Sequence, residues 1–192
     1  MTIIMFDFET TGLKIYYDKI IEYAFINYYN DKSITELINP EQNISSKITS
    51  ITNITNDMII GKPIIKDKSN EIYNFIESNY NNNSDKKIYM IAHNVNGFDK
   101  FFLKRIFQSN PFALKFYREN IVFIDTIDLA KYVLPQMRSV SLATLCKIFK
   151  IEAGTHRALD DTIALQKVYT HLVDLLAKQK NMNKEYLINN PQ

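Results

Sequence analysis

The chain opens on an apolar run, Thr2 to Phe8, interrupted by Asp7 and followed by Glu9. Alternate residues of an extended strand share a face, so Asp7 and Glu9 point one way with Ile3 and Met5, and Ile4, Phe6 and Phe8 point the other. A strand apolar on both faces is central and buried. Two carboxylates on such a strand need a partner or a cation. A second strand is predicted over Ile20 to Tyr29, a turn at Asn30 to Lys32 and a third strand over Ser33 to Ile38, together an antiparallel meander. Ile44 to Ile60, polar with spaced isoleucines, reads as one or two short helices. Ile64 to Tyr80 carries Ile72, Tyr73, Phe75 and Ile76 at helical spacing. Asn81 to Asp85 reads as a loop and Lys87 to Ala92 as a buried strand. A helix over Phe98 to Phe107 stops before Pro111, and Ile121 to Ile124 is a strand. Asp125-Thr126 caps a helix reaching Pro135. Ser141 caps another, whose Leu142, Leu145, Cys146 and Phe149 share one face. Gly154 closes that segment, and Arg157 to Lys178 is the longest helix. Three strands followed by alternating helix and strand predict an α/β fold, a mixed sheet with helices on both sides.

Composition narrows the classes. The 192 residues fit one domain with a sizeable core, taken as residues 1–180 followed by a polar, frayed tail over 181–192. A net charge of +2 from 23 basic and 21 acidic side chains is too balanced for a general nucleic-acid coat, so an anionic partner would meet a local patch. The one cysteine, Cys146, rules out an internal disulfide and points to a reducing, intracellular compartment. Its place on an apolar helix face makes it a core residue rather than a nucleophile. No apolar run is long enough to span a membrane, and the first strand, with two acids and no basic region before it, is no signal peptide. The abundance of Ile, Asn, Lys and Tyr matches A/T-rich codons, as in an A/T-rich microbe or a large DNA virus.

Two more acids extend the theme. Asp99 follows a buried strand and the polar turn His93-Asn-Val-Asn-Gly-Phe98; an Asp there is ordinarily a helix cap. Asp161 lines up with Leu165, Val168 and Leu172 at steps of four, three and four, on the core-facing stripe of the longest helix. Asp160 lies off that stripe and reads as solvated. A carboxylate on a buried stripe again asks for a partner. His156 sits five residues earlier, at the junction of loop and helix.

Phe6-Asp-Phe-Glu-Thr-Thr-Gly12, His93-Asn94 through Phe98-Asp99, and His156-x-Ala158-x-x-Asp161 together resemble the three motifs of the DEDDh, DnaQ-like 3′–5′ exonucleases. That family includes the epsilon subunit of DNA polymerase III, exonuclease I, the TREX enzymes and RNase T. The resemblance spans Thr2 to about Val173. The DEDDy relatives carry Tyr four residues before the last Asp; Arg157 stands there in this chain. Six residues separate His93 from Asp99, a spacing closer to TREX and exonuclease I than to epsilon. The family fold is ribonuclease H-like, a mixed five-stranded sheet flanked by helices.

The resemblance implies a site for two Mg²⁺ or Mn²⁺ ions held by Asp7, Glu9, Asp99 and Asp161, with His156 as general base and nucleoside 5′-monophosphates as products. Hard cations and oxygen donors suit one another. The family's contacts to the terminal nucleotide would fall on Thr10, Thr11, Leu13, Asn94 and Phe98; each is equally readable as a turn or core residue. Lys100, Lys104, Arg105 and Arg157 are candidates for steering phosphate. The implied partner is a nucleic-acid 3′ end, DNA favoured and RNA possible, with a polymerase as a partner in trans. An RNA-trimming exoribonuclease of the RNase T or oligoribonuclease kind stays open, since the choice rests on contacts at the 2′ position. A non-catalytic polymerase-associated module also stays open, though such degeneration usually removes the acids first.

Overall fold

The computed structural model describes residues 2–79 and 87–189; the loop expected at Asn81 to Asp85 lies outside them. Five strands, β1 (Thr2–Thr10), β2 (Ile20–Asn27), β3 (Ser33–Leu37), β4 (Ile88–Ala92) and β5 (Ile121–Asp125), form one sheet in the order β3-β2-β1-β4-β5. β1 to β3 are antiparallel neighbours, while β4 runs parallel to β1 and β5 parallel to β4. The sheet is therefore mixed, five-stranded and flanked by helices, the ribonuclease H-like arrangement that the sequence leads one to expect.

β1 sits at the centre, and both its faces are covered. Ile4, Phe6 and Phe8 pack with Phe25, Phe102, Leu103 and Ile106 in the larger core. Here α3 (Ile65–Ser78) and α4 (Asp99–Phe107) cover the sheet. Ile3 and Met5, on the acids' face, pack with Leu165, Tyr169 and Val173 of the long helix α8 (Ala158–Lys180). A third cluster joins Val168 and Leu172 of α8 to Ala130, Leu145 and Cys146, placing α6 (Thr126–Val133) and α7 (Leu142–Phe149) outside it. Cys146 is buried there, and burial raises its thiol pKa, as a core residue requires. Two short helices, α1 (Ser46–Thr52) and α2 (Asn56–Ile59), close the far edge of the sheet.

Two features differ from expectation. Pro111 does not merely end a helix but starts α5 (Pro111–Asn120), where the Asn110 side chain accepts from the Phe112 and Ala113 amides. Proline is well suited to the first helical position, because its missing N–H would be unpaired there anyway. The stretch after Lys180, expected to be a polar tail, holds α9 (Lys184–Asn189), whose Ile188 is buried against the α8 side of the core. Two apolar side chains, Ile188 and the partly buried Leu187, dock this otherwise polar segment on the core.

Because Phe6 is buried at the centre of the larger cluster, stacked on Phe25 and edge-on to Phe8, Phe6→Ala should cost about 3–5 kcal/mol. Urea unfolding checks this, and the midpoint should fall with little change in slope.

Candidate active site

The four acids and His156 meet at one corner of the sheet. Asp7 and Glu9 lie near the carboxyl end of β1, Asp99 opens α4 just beyond the carboxyl end of β4, and Asp161 lies in the first turn of α8. One donor atom each from Glu9, His156 and Asp161 lie within 4.8 Å of one another. Asp7 joins them electrostatically, feeling Asp161 and raising Glu9 and Asp99 in turn. His156 is exposed and adopts left-handed backbone, φ 56°, an unusual conformation for a residue with a side chain and one that recurs at functional sites.

The carboxylates are uncomfortable. Burial, then Asp161 and Glu22, push Asp7 up to about 7. Burial, then Asp7 and further acids, push Glu9 up to about 9. Asp99, 2% exposed, is held well above the usual carboxylate range by burial and by Asp7. Asp161 is raised mainly by burial, with His156 beside it pulling the other way. Asp99 is not a cap. Phe98 holds the N-cap position, and Asp99 Oδ1 has no hydrogen-bond partner among the described residues. A buried oxygen without a donor, beside carboxylates that resist ionisation, fits a hard divalent cation. Glu9, His156 and Asp161 could hold such an ion between them, and Asp7 and Asp99 act on Glu9 electrostatically.

A further acid, buried and not among the candidates read from the sequence, organises this corner. Glu22 on β2 lies directly opposite Glu9 in the antiparallel register and is 4% exposed. Both its oxygens receive Arg157: Nε at 3.1 and 3.0 Å, Nη2 at 2.6 Å. The Ala158 amide adds a bond of 2.9 Å. A bidentate guanidinium and a helix-start N–H together satisfy the carboxylate and fix the start of α8, one turn before Asp161. Arg157 is thus engaged within the fold rather than available to phosphate. Arg105 is engaged too, bonding the carbonyls of Ile15 and Asp18 at 2.9 and 2.8 Å. The signal for Glu22 was present: an acid inside the apolar run Ile20 to Ile26, the same anomaly as Asp7 in β1.

Further contacts shape the corner. The β1–β2 register slips just after Glu9, a bulge of the kind that re-aims side chains beside sites. Asp125 does cap α6, accepting from the Ile127 amide, and its two oxygens also accept from the Asn94 and Asn96 amides at 2.9 Å each. It thereby fixes the turn that leads into Asp99. His93 Nδ1 meets Thr126 Oγ1 at 2.9 Å, a strand-end hydrogen bond. Gly154, expected only to end a segment, lies against Asp161: a Cβ there would sit 1.6 Å from Asp161 Oδ1 and 2.9 Å from its Cα.

The candidate substrate contacts are less uniform. The Thr10 hydroxyl donates to the Gly12 carbonyl. The Thr11 hydroxyl donates to Asp18 and accepts from the Lys19 amide and Gln42, and its amide is bonded to the Lys19 carbonyl. The Thr11 hydroxyl and amide are therefore engaged by its own turn and by Gln42. Leu13 is 84% exposed. Asn94 is exposed with φ 76°. Phe98 is half-buried with its ring tilted on Phe102 at 4.9 Å.

Comparison with known proteins gives the family and the fold. The family model for exonucleases of the RNase T type matches residues 4–169. The chain is 34% identical over 183 residues to the PolC-type DNA polymerase III of Thermotoga petrophila, covering 92% of this chain and 12% of the polymerase. It is 32% identical over 167 residues to that of Bacillus subtilis, covering 85% and 11%. The chain thus spans about an eighth of the length of these relatives. Among solved structures, exonuclease I superposes with TM-score 0.74 at 20% identity, covering 98% of this chain and 43% of that one. Exonuclease X in complex with 5′-overhanging duplex DNA superposes with TM-score 0.61 at 24% identity, covering 95% of each chain. The fold and the acidic corner define a nuclease of the DEDDh, DnaQ-like class. The chain belongs to the exonuclease family, whose members hydrolyse phosphodiesters.

Two outcomes follow for the isolated protein. Asp7 and Glu9 keep protons in the folded state that the unfolded chain sheds near pH 4, so in chelator the melting temperature should fall as pH rises from about 4 to about 9. Asp7→Asn should flatten that fall. Mn²⁺ should raise the melting temperature of the wild type, and Gly154→Ala should displace Asp161 and abolish that rise while the circular dichroism spectrum stays unchanged.

Proposed function

We propose that this chain is a metal-dependent 3′–5′ exonuclease that removes nucleoside 5′-monophosphates from single-stranded or frayed DNA 3′ ends. The observation that carries the reading is the gathering of four costly acids and an exposed histidine at one corner. Asp7, Glu9, Asp99 and Asp161 would hold two ions, Mg²⁺ or Mn²⁺, which supply charge stabilisation at the attacking and leaving oxygens. His156, solvent-exposed and within 4.8 Å of Glu9 and Asp161 donor atoms, takes the proton of the attacking water. Imidazole is the side chain most often used to move a proton in catalysis. Oxygen attacks phosphorus, the P–O3′ bond breaks, and the terminal nucleotide leaves with its 5′-phosphate.

Leu13, Asn94 and Phe98 are assigned to the terminal nucleotide, and Thr10 and Thr11 to the turn from which Leu13 projects. DNA is favoured because the exonuclease X neighbour was solved with duplex DNA and an exonuclease I neighbour with single-stranded DNA. The PolC-type relatives support a proofreading or repair task beside a polymerase.

On 5′-labelled single-stranded DNA with Mn²⁺ or Mg²⁺, a stepwise ladder should appear and chelator should remove it. Asp7→Ala should erase it, and cleavage surviving in that variant would falsify the metal assignment. The same assay on RNA decides between DNA and RNA ends. His156→Ala should lower turnover by about 10²–10⁴-fold with Mn²⁺ affinity little changed; unaltered turnover removes His156 from the base role.

A further inference from the structure

The loop between β1 and β2, residues 11–19, combines two properties rarely found together. Its backbone is tightly held, and its large side chains are not. Asp18 accepts from the Thr11 hydroxyl at 2.9 Å and from the Lys14 amide at 2.7 Å. The Tyr17 and Asp18 amides both return to the Lys14 carbonyl. Arg105 of α4 clamps the carbonyls of Ile15 and Asp18, and the Ile15 side chain packs on the larger core. Gly12 lets the Asp18 carboxylate approach: a Cβ at Gly12 would lie 2.6 Å from Asp18 Oδ2.

On this fixed backbone Tyr16 and Tyr17 stand 77% and 78% exposed, beside Leu13. Stability alone does not call for two exposed rings on a pinned loop, since the loop's own apolar anchor is Ile15. The loop leaves β1 directly after Glu9 and Thr10, so it emerges at the acidic corner. Lys14 lies on the same turn and is exposed, the charge that suits a phosphate backbone. Aromatic rings carried on a fixed backbone bind with less ordering cost than rings on a mobile loop, and bases of any sequence stack on them.

Resting on the exonuclease reading, we propose that Tyr16 and Tyr17 form a stacking platform for the single strand upstream of the nucleotide being removed. The occupant is unpaired nucleic acid continuous with the substrate's 3′ end. Lys14 contributes to its phosphates, and the platform binds bases without regard to sequence.

The test is equilibrium binding of a fluorescently labelled oligothymidylate to the whole chain in Ca²⁺, read by anisotropy. Tyr16→Ala with Tyr17→Ala should weaken binding about tenfold or more, a loss in keeping with stacking energies. Tyr16→Phe with Tyr17→Phe should retain it, because the ring face is what binds. Unchanged affinity in the Ala pair overturns the platform, as does equal loss in the Phe pair. Hydrolysis of a chromogenic thymidine 5′-phosphate ester by the wild-type protein separately reports on the acid site. If the ester is not cleaved while binding still depends on the two rings, the catalytic reading fails and the platform stands.

Discussion

The fold depends on a repulsion that it does not relieve by itself. β1 is covered on both faces, so Asp7 is carried into the core by the same packing that buries Ile3, Met5 and Phe6. Asp99 and Asp161 arrive from two helices, and each acid raises the cost of ionising its neighbours. Protons or cations between the oxygens relieve that cost. A sequence selected for stability alone would place Asn, Leu or Met at such positions.

What holds the acids in place is a set of fully satisfied polar contacts around them. Glu22 and Arg157 join β2 to the start of α8 through a bidentate pair, and the Ala158 amide aligns the helix dipole with the same carboxylate. Breaking one side of such a buried pair is costly, because the other charge is then left uncompensated. Asp125 does the corresponding work at the turn before Asp99, with three main-chain N–H groups on one carboxylate. Gly154 leaves the space that the Asp161 side chain fills. The unpartnered oxygen of Asp99 thus sits beside a turn and a helix start that other carboxylates hold in place.

Much of this was legible in the sequence. Period-two patterning placed β1 with its acids on one face, and the helical stripe through Leu165, Val168 and Leu172 placed Asp161 on the covered side of α8. The three motifs then supplied the family. What was not legible depends on the third dimension. Arg157 read as a free cation because its partner Glu22 lies 135 residues away. Gly154 read as punctuation because its neighbour is a side chain brought in by α8. α5 was missed because proline marks both the end of one helix and the start of the next. α9 was missed because one buried residue, Ile188, anchors a segment whose average composition is polar. Thr11 kept its place beside the site while its hydrogen bonds went to its own turn.

The central claim is that the acidic corner holds protons which a divalent cation displaces. Calorimetric titration with Mn²⁺ at pH 7, in buffers of different ionisation enthalpy, counts those protons directly. With Glu9 pushed to about 9, Asp7 to about 7 and Asp99 raised, binding should release on the order of two protons per chain at pH 7, and fewer in Asp7→Asn. Binding without proton release would show that the carboxylates are already ionised and would contradict the account.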